Sequence, residues 1–373
     1  MIRRCCTRKW HATIQFIRAR SDRIHCNLIS NMCFPKTSPE FFAKVGKTPL
    51  VLLKSISRSI GRNIYVKLEY HNPTGSVKDR AAVKLLQDSI ERGLKPGGTL
   101  VEATAGNTGI SLAVLSRLAG YKLVLFVPET LIQAKVDKLT GLGAEVFKAE
   151  NYPDNHPKHM NSLAAIYAKE HDNTIHVNQM NNLVNQQAHY ETTGPEIWKQ
   201  LEGSVDAFVA GAGTGGTFSG VSKYLKEVSD GRVKTIIADR QGSGLHHYIQ
   251  TNGESFDAEG ESFVEGIGKL GLVDNIKDVL NLANDSLQIS DIEALNTIYR
   301  LIDEEDLRVG ASAGVYVAAA IKVAESLPPG SNVVTVIPDA VDIYAKKVFS
   351  KQWLEEQDHW DKIPSEYKKY ATL

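Results

Sequence analysis

The sequence predicts an α/β protein, with parallel sheets covered by helices, and two observations carry the prediction. After Lys36, short β-branched and apolar runs alternate with longer stretches of helical periodicity. The breaks between them hold glycine where a helix C-cap needs positive φ, as in RGLKPGG, LAGY and LPPGS. At 373 residues the chain is long enough for two domains with a sizeable core.

Taken in order, the candidate strands are NIYVKLEY from Asn63, TLVEATA from Thr99, KLVLFVP from Lys122, AEVFKA from Ala144, TIHVNQ from Thr174, DAFVAGAG from Asp206, KTIIAD from Lys234 and NVVTVIP from Asn332. Helical spacing shows in SVKDRAAVKLLQDSIERG, where Ala81, Ala82, Leu85, Leu86 and Ile90 fall on one face, and in SDIEALNTIYRLIDEE. ENYPDNHPKHM, residues 150–160, breaks the rhythm with two prolines and reads as a surface loop, its His156 and His159 as solvated loop histidines.

Charge divides the chain unevenly. Residues 1–36 hold eight Lys and Arg against Asp22 alone, leaving 35 basic and 42 acidic residues in the body, a net charge of about −7. A basic, acid-poor start with Ser and Thr reads as a mitochondrial transit peptide, with a disordered basic tail as the alternative. An acidic body without a basic-aromatic stripe gives nucleic acid no footprint, and no run of about 18 apolar residues marks a membrane span. All four cysteines (Cys5, Cys6, Cys26, Cys33) lie in the leader, so the body has neither a disulfide framework nor a catalytic thiol. Cys26 beside His25 is a weak metal or haem pair, and no other metal-ligand set stands out.

Three motifs suggest three chemistries. AFVAGAGTGGTFSG is a strand, a glycine turn and a helix start, so backbone N–H groups and a helix N-terminus converge where a phosphate could sit. Read as Gly211-x-Gly213-x-x-Gly216 with Asp239 ending the next strand, it also fits a dinucleotide fingerprint and hence an oxidoreductase. GASAGV (Gly310 to Val315) fits a hydrolase nucleophile elbow, with Ser312, Asp339 or Asp342, and His359 in triad order, although the charged LIDEEDLRV before it is a poor elbow strand. The third is NPTGSVKDR: a turn, a serine able to cap a helix, and Lys78 in the first helical turn, where a cation opposes the dipole. Such a setting helps depress the pKa of Lys78 and suits Schiff-base chemistry. An aldehyde for Lys78 and a phosphate for the glycine turn are both supplied by pyridoxal 5'-phosphate.

GKTPL, NPTGSVKDR, TAGNTGI, ETTGPEIW, GTGGT and GASAG stand in the order found in cysteine synthases, and from about Gly46 to residue 350 the chain resembles that family. The family belongs with cystathionine β-synthase among the fold-type II pyridoxal-phosphate enzymes, and the likeness is greatest to the fungal mitochondrial type. The resemblance implies two three-layer αβα domains, like those of tryptophan synthase β. The smaller would span 72–182 and bind substrate; the larger, 37–71 with 183–373, would bind the cofactor. It implies Lys78 as the catalytic, cofactor-binding lysine, Asn107 on the cofactor's 3′-oxygen, Gly213, Thr214, Gly215, Gly216 and Thr217 around its phosphate, and Ser312 facing the ring nitrogen. Thr104, Ala105, Gly106, Thr108 and Gln179 would bind the substrate carboxylate, and Gly266 and Gly268 would line the pocket. Related synthases usually carry serine where Ala105 stands, so one hydroxyl contact is missing. IPDAVDIYAKKVFSKQW is nearer the cystathionine β-synthase pattern.

The implied reaction is a β-replacement that makes L-cysteine from an O-activated serine and sulfide. Its alternatives are condensation of serine with homocysteine, and a regulatory paralogue that binds the cofactor without turnover. A homodimer follows by analogy; a serine acetyltransferase partner is raised by the resemblance but specified by no residue.

Overall fold

The computed structural model describes residues 38–153, 156–268, 271–341 and 344–372. The transit-peptide reading, the four cysteines and His25, and Asp342 lie outside them. The strands are β1 (Leu50–Leu52), β2 (Asn63–Leu68), β3 (Thr99–Ala103), β4 (Lys122–Pro128), β5 (Ala144–Ala149), β6 (Thr174–His176), β7 (Ala207–Ala210), β8 (Lys234–Arg240), β9 (Asp285–Ile289) and β10 (Asn332–Ile337). The helices that position the site are α1 (Lys78–Glu91), α2 (Asn107–Ala119), α3 (Gln133–Gly141), α4 (Met160–Glu170), α5 (Gly216–Val228), α6 (Asp291–Glu305) and α7 (Ala311–Glu325).

Two sheets form. The smaller, ordered β5-β4-β3-β6, is wholly parallel, with Val101 opposite Val124 and Leu100 opposite Ile175. The larger runs β1-β2-β10-β7-β8-β9 and is parallel except for β1, which pairs antiparallel with β2. Burial on both faces explains the near-continuous apolar run of β7, AFVA, in which every residue is buried. The small sheet has a core on each face: Ala81 and Leu85 from α1 with Leu112 and Leu115 from α2 on one, Val101 and Phe126 with Ala164 from α4 on the other. Phe42, from the helix Ser38–Lys44, packs into the first of these. In the large sheet α5 and α7 both contact β7 and β8. The α7 sequence is apolar almost all round and is correspondingly buried along its length. The chain is thus a two-unit α/β protein.

Strand order places the ligand site. In the small sheet β4 lies to one side of β3 and β6 to the other; in the large sheet β8 and β10 flank β7 in the same way. At such switch points consecutive connections diverge and leave a crevice beyond the carboxyl ends of the strands. TAGNT follows β3 and GAGTGGT follows β7.

Two strands escaped the sequence reading: three-residue β1, and β9, DSLQI, whose polar residues left only Leu287 and Ile289 as apolar signal. TIHVNQ was read too long. The strand stops at His176, and Asn178 sits at φ 54, outside β geometry.

Candidate active site

A cleft of about 520 Å³ opens between the carboxyl ends of the two sheets. Lys78, Thr104, Ala105, Gly106, Asn107, Thr108, Gln179, Gly213, Thr214, Gly215, Thr217, Gly266, Gly268 and Ser312 all line it. Gly216 begins α5 immediately behind the glycine turn.

The lysine end is built on a turn. Helix α1 starts at Lys78 itself, with Val77 in the cap position and no side-chain cap; the Ser76 hydroxyl instead accepts from Lys78 N at 3.3 Å. The capping expected of Ser76 is therefore replaced by tertiary contact, since Val77 N donates to Pro338 O at 2.8 Å. Asp79 closes the turn by accepting from Thr74 N at 2.7 Å and from the Thr74 hydroxyl. Burial lowers the Lys78 pKa, opposed by the charge of Asp339.

Behind this turn lies a balanced cluster of two cations and two anions. Arg80 Nε and Nη2 donate to Glu69 at 2.7 and 2.9 Å, and Nη1 and Nη2 donate to Glu196 at 2.8 Å each. Lys67 Nζ meets Glu196 at 2.8 Å and donates to Thr48 O at 2.6 Å. Asn72 Nδ2 donates to Glu69, while its Oδ1 accepts from Gly46 N at 2.8 Å. GKTPL, NPTGSVKDR and ETTGPEIW are separate motifs in sequence but one network in space. Burial alone would raise Glu196, but Arg80 prevails and holds it down to about 2.

The glycine end is fixed by close approach. Gly215 takes φ +89, and a Cβ on Gly213 would fall 2.1 Å from Gly266 O. The first helical return is Ser219 N to Gly215 O, so the amides before it sit at the anion-binding end of α5. Asn185 Nδ2 donates to Thr214 Oγ1 at 3.1 Å, and Thr217 Oγ1 lies 3.2 Å from His189 Nε2. Burial pushes His189 down to about 3, so its ring is neutral.

The third wall is the TAGNT loop. Thr108 Oγ1 donates to Gln179 Oε1 at 2.6 Å, and Gln179 N donates to Glu102 Oε2 at 2.8 Å. Glu102 is buried with no cation beside it among the described residues, and desolvation raises it to about 7 against the pull of its backbone N–H donors. Asn107 Nδ2 donates to Asp339 Oδ2 at 2.7 Å.

The rival constellations do not assemble. Asp239 accepts from Arg240 N and His246 N, so its carboxylate is engaged by local backbone. Ser312 and Asp339 reach the cleft, but the His359 ring packs against Phe263 and Trp353 elsewhere. Sequence reasoning missed Asn185, His189 and Glu102, and took Asp339 only as a triad acid. Position at the carboxyl end of β10 was the available signal for Asp339.

A family model described as pyridoxal-phosphate dependent enzyme matches residues 42–339. Cysteine synthase 1 of Emericella nidulans is 48% identical over 330 residues, 88% of this chain and 89% of that protein. Cysteine synthase 1 of Neurospora crassa is 47% identical over 330 residues, 88% of each chain. Among solved structures, an O-acetylserine dependent cystathionine β-synthase from Helicobacter pylori superposes with a TM-score of 0.72 at 33% identity, covering 82% of this chain and 97% of that one.

Proposed function

From the premise that this chain belongs to the pyridoxal-phosphate dependent enzymes, within the cysteine synthases, we propose that it makes L-cysteine by exchanging the β-substituent of an O-activated L-serine for sulfide. One observation carries the reading: an amine at the head of α1 and a glycine turn at the head of α5 face the same cleft. The donor set fits the cofactor, with a lysine whose ammonium form is disfavoured, a backbone cradle in which Gly213 has no room for a side chain, and a buried hydroxyl at Ser312.

When bound, pyridoxal phosphate supplies an aldehyde for the substrate amine and a ring that takes up the electron pair left at Cα. Lys78 Nζ would hold that aldehyde and, as an amine beside the substrate Cα, would serve as the base for its proton. Gly213 to Thr217 would hold the phosphate, with Asn185 and neutral His189 fixing the two threonine hydroxyls. Ser312 would offer the ring nitrogen a hydroxyl rather than an acid, which suits loss of a β-substituent. Asn107 would orient the cofactor's 3′-oxygen, and Thr104, Ala105, Gly106 and Thr108 with Gln179 would bind the substrate carboxylate. In the same reading residues 72–182 form the substrate domain, 37–71 with 183–373 form the cofactor domain, and closure between them excludes water. The basic first 36 residues support a mitochondrial address, and the active form is a homodimer. Among the described residues no helix is long and apolar enough to cross a membrane.

The test is direct. O-acetylserine and sulfide should give cysteine, and Lys78→Ala should lose both the visible absorbance of bound cofactor and turnover; an active, coloured variant sinks the assignment. The likeness to the Helicobacter pylori protein favours cystathionine formation as the second reading, and homocysteine tested beside sulfide separates the two. Silence with every substrate would favour a regulatory role.

A further inference from the structure

Asp339 is a buried carboxyl group lining this cleft that the reading above leaves without a task. It is 5% exposed, its Oδ2 accepts from Asn107, and its Oδ1 is buried with no hydrogen-bond partner among the described residues. Buried polar atoms are nearly always satisfied, so an orphan oxygen beside a ligand cleft calls for a reason.

Its backbone position is over-determined. Asp339 bridges Ser76, two residues before Lys78, and its carbonyl accepts from Gly310 N at 3.0 Å, two residues before Ser312. The carboxylate is therefore carried on the segment that ties the start of α1 to the start of α7. Gly310 makes room for it: a Cβ there would lie 1.9 Å from Asp339 Oδ1.

The charges facing it are few. Lys78 faces it from α1 and Glu265 from the loop before β9; Tyr316 from α7 and Tyr344 beyond β10 face it as phenols. Glu265 is already paired with Lys347 at 2.8 Å and Lys135 at 3.3 Å. Burial pushes both phenols up, so neither is charged near neutrality. Among the described residues Lys78 is the cation left facing Asp339, and both line the cleft.

We propose that Asp339 is the buried counter-anion of Lys78 and the anchor of the Asn107 amide, a positioning residue that partly offsets the burial of Lys78 Nζ and so favours its protonated form whether that nitrogen is free or bonded to the cofactor. The proposal rests on Lys78 being the cofactor-binding lysine.

The test is a pH titration of the visible absorbance of the cofactor-loaded protein, wild type against Asp339→Asn. Removing a facing anion destabilises a cation, so the alkaline midpoint should fall by about one pH unit or more in the variant. An unshifted alkaline midpoint overturns the proposal. If Asp339→Asn does not fold, Asp339→Ser is titrated in its place: a lowered alkaline midpoint supports the proposal, and an unshifted one overturns it. A Lys78→Ala protein that keeps the band sinks the underlying reading and this one with it. A bandless Lys78→Ala beside an unshifted Asp339→Asn sinks this one alone.

Discussion

Glu102 is a carboxyl group in a position where carboxylates are rarely left. It is 1% exposed, with each oxygen taking a backbone N–H, from Ala103 at 2.8 Å and from Gln179 at 2.8 Å, and no cation beside it among the described residues. Burial raises its pKa from 4.5 to about 7. Below pH 4.5 folded and unfolded chains both hold the proton; between there and about 7 only the folded chain does. Stability from this group is therefore greatest in acid and is lost as pH rises through that window, by about 3 kcal/mol. In urea titrations at pH 5 and pH 8, Glu102→Gln should gain on the wild type at the higher pH; parallel curves would refute the shift. Lys78 and the glycine turn were legible in the sequence because their chemistry is written in adjacent residues. Glu102 and Asp339 were not, because the burial that gives them their character comes from distant segments: Gln179 lies 77 residues from Glu102 and Asp339 232 from Asn107.

Elements show the same division between local and distant causes. The long helices were readable because α1 and α6 carry periodic apolar faces, and Ser290 with Glu293 forms a capping box at the head of α6. Edge strand β9 was not, because with one side unpaired it needs few apolar residues. GASAG misled in an instructive way. Gly314, the last glycine of that apparent elbow, serves packing: a Cβ there would come 2.4 Å from Ala294 O and 2.9 Å from Ile298 Cγ1, so its absence lets α6 and α7 touch. Gly314→Ala should therefore cost about 1–3 kcal/mol through forced separation of the two helices. Thermal melting measures that cost, and an unchanged midpoint would show that the contact can relax. The arrangement also explains why a glycine-serine-glycine spacing here follows a charged segment: α7 is held by α6, with no strand-to-helix elbow required.

At the scale of the molecule the site is an arrangement of two sheets, each contributing the loop after its switch strand. A ligand spanning that cleft binds only the folded chain, so it adds stability by mass action, about 2.7 kcal/mol at one hundred times its dissociation constant. Stripping pyridoxal phosphate should lower the melting temperature by roughly 3 °C at that saturation. Calorimetry with and without added cofactor tests this, and identical curves would exclude a ligand shared between the two sheets. Sheet order itself was beyond the reach of the sequence, which proposed βα alternation without saying which strands become neighbours.

That order has a temporal consequence. Among the described residues β10 is the last strand made, yet it lies in the middle of its sheet, with Val333 beside both Ile64 and Ala207. During translation β2 therefore waits through more than 260 residues of nascent chain for its partner, and β7 keeps an unpaired side until the same moment. The larger sheet cannot close on the ribosome before Asn332 to Ile337 emerge, which makes its completion a late, long-range and correspondingly slow event.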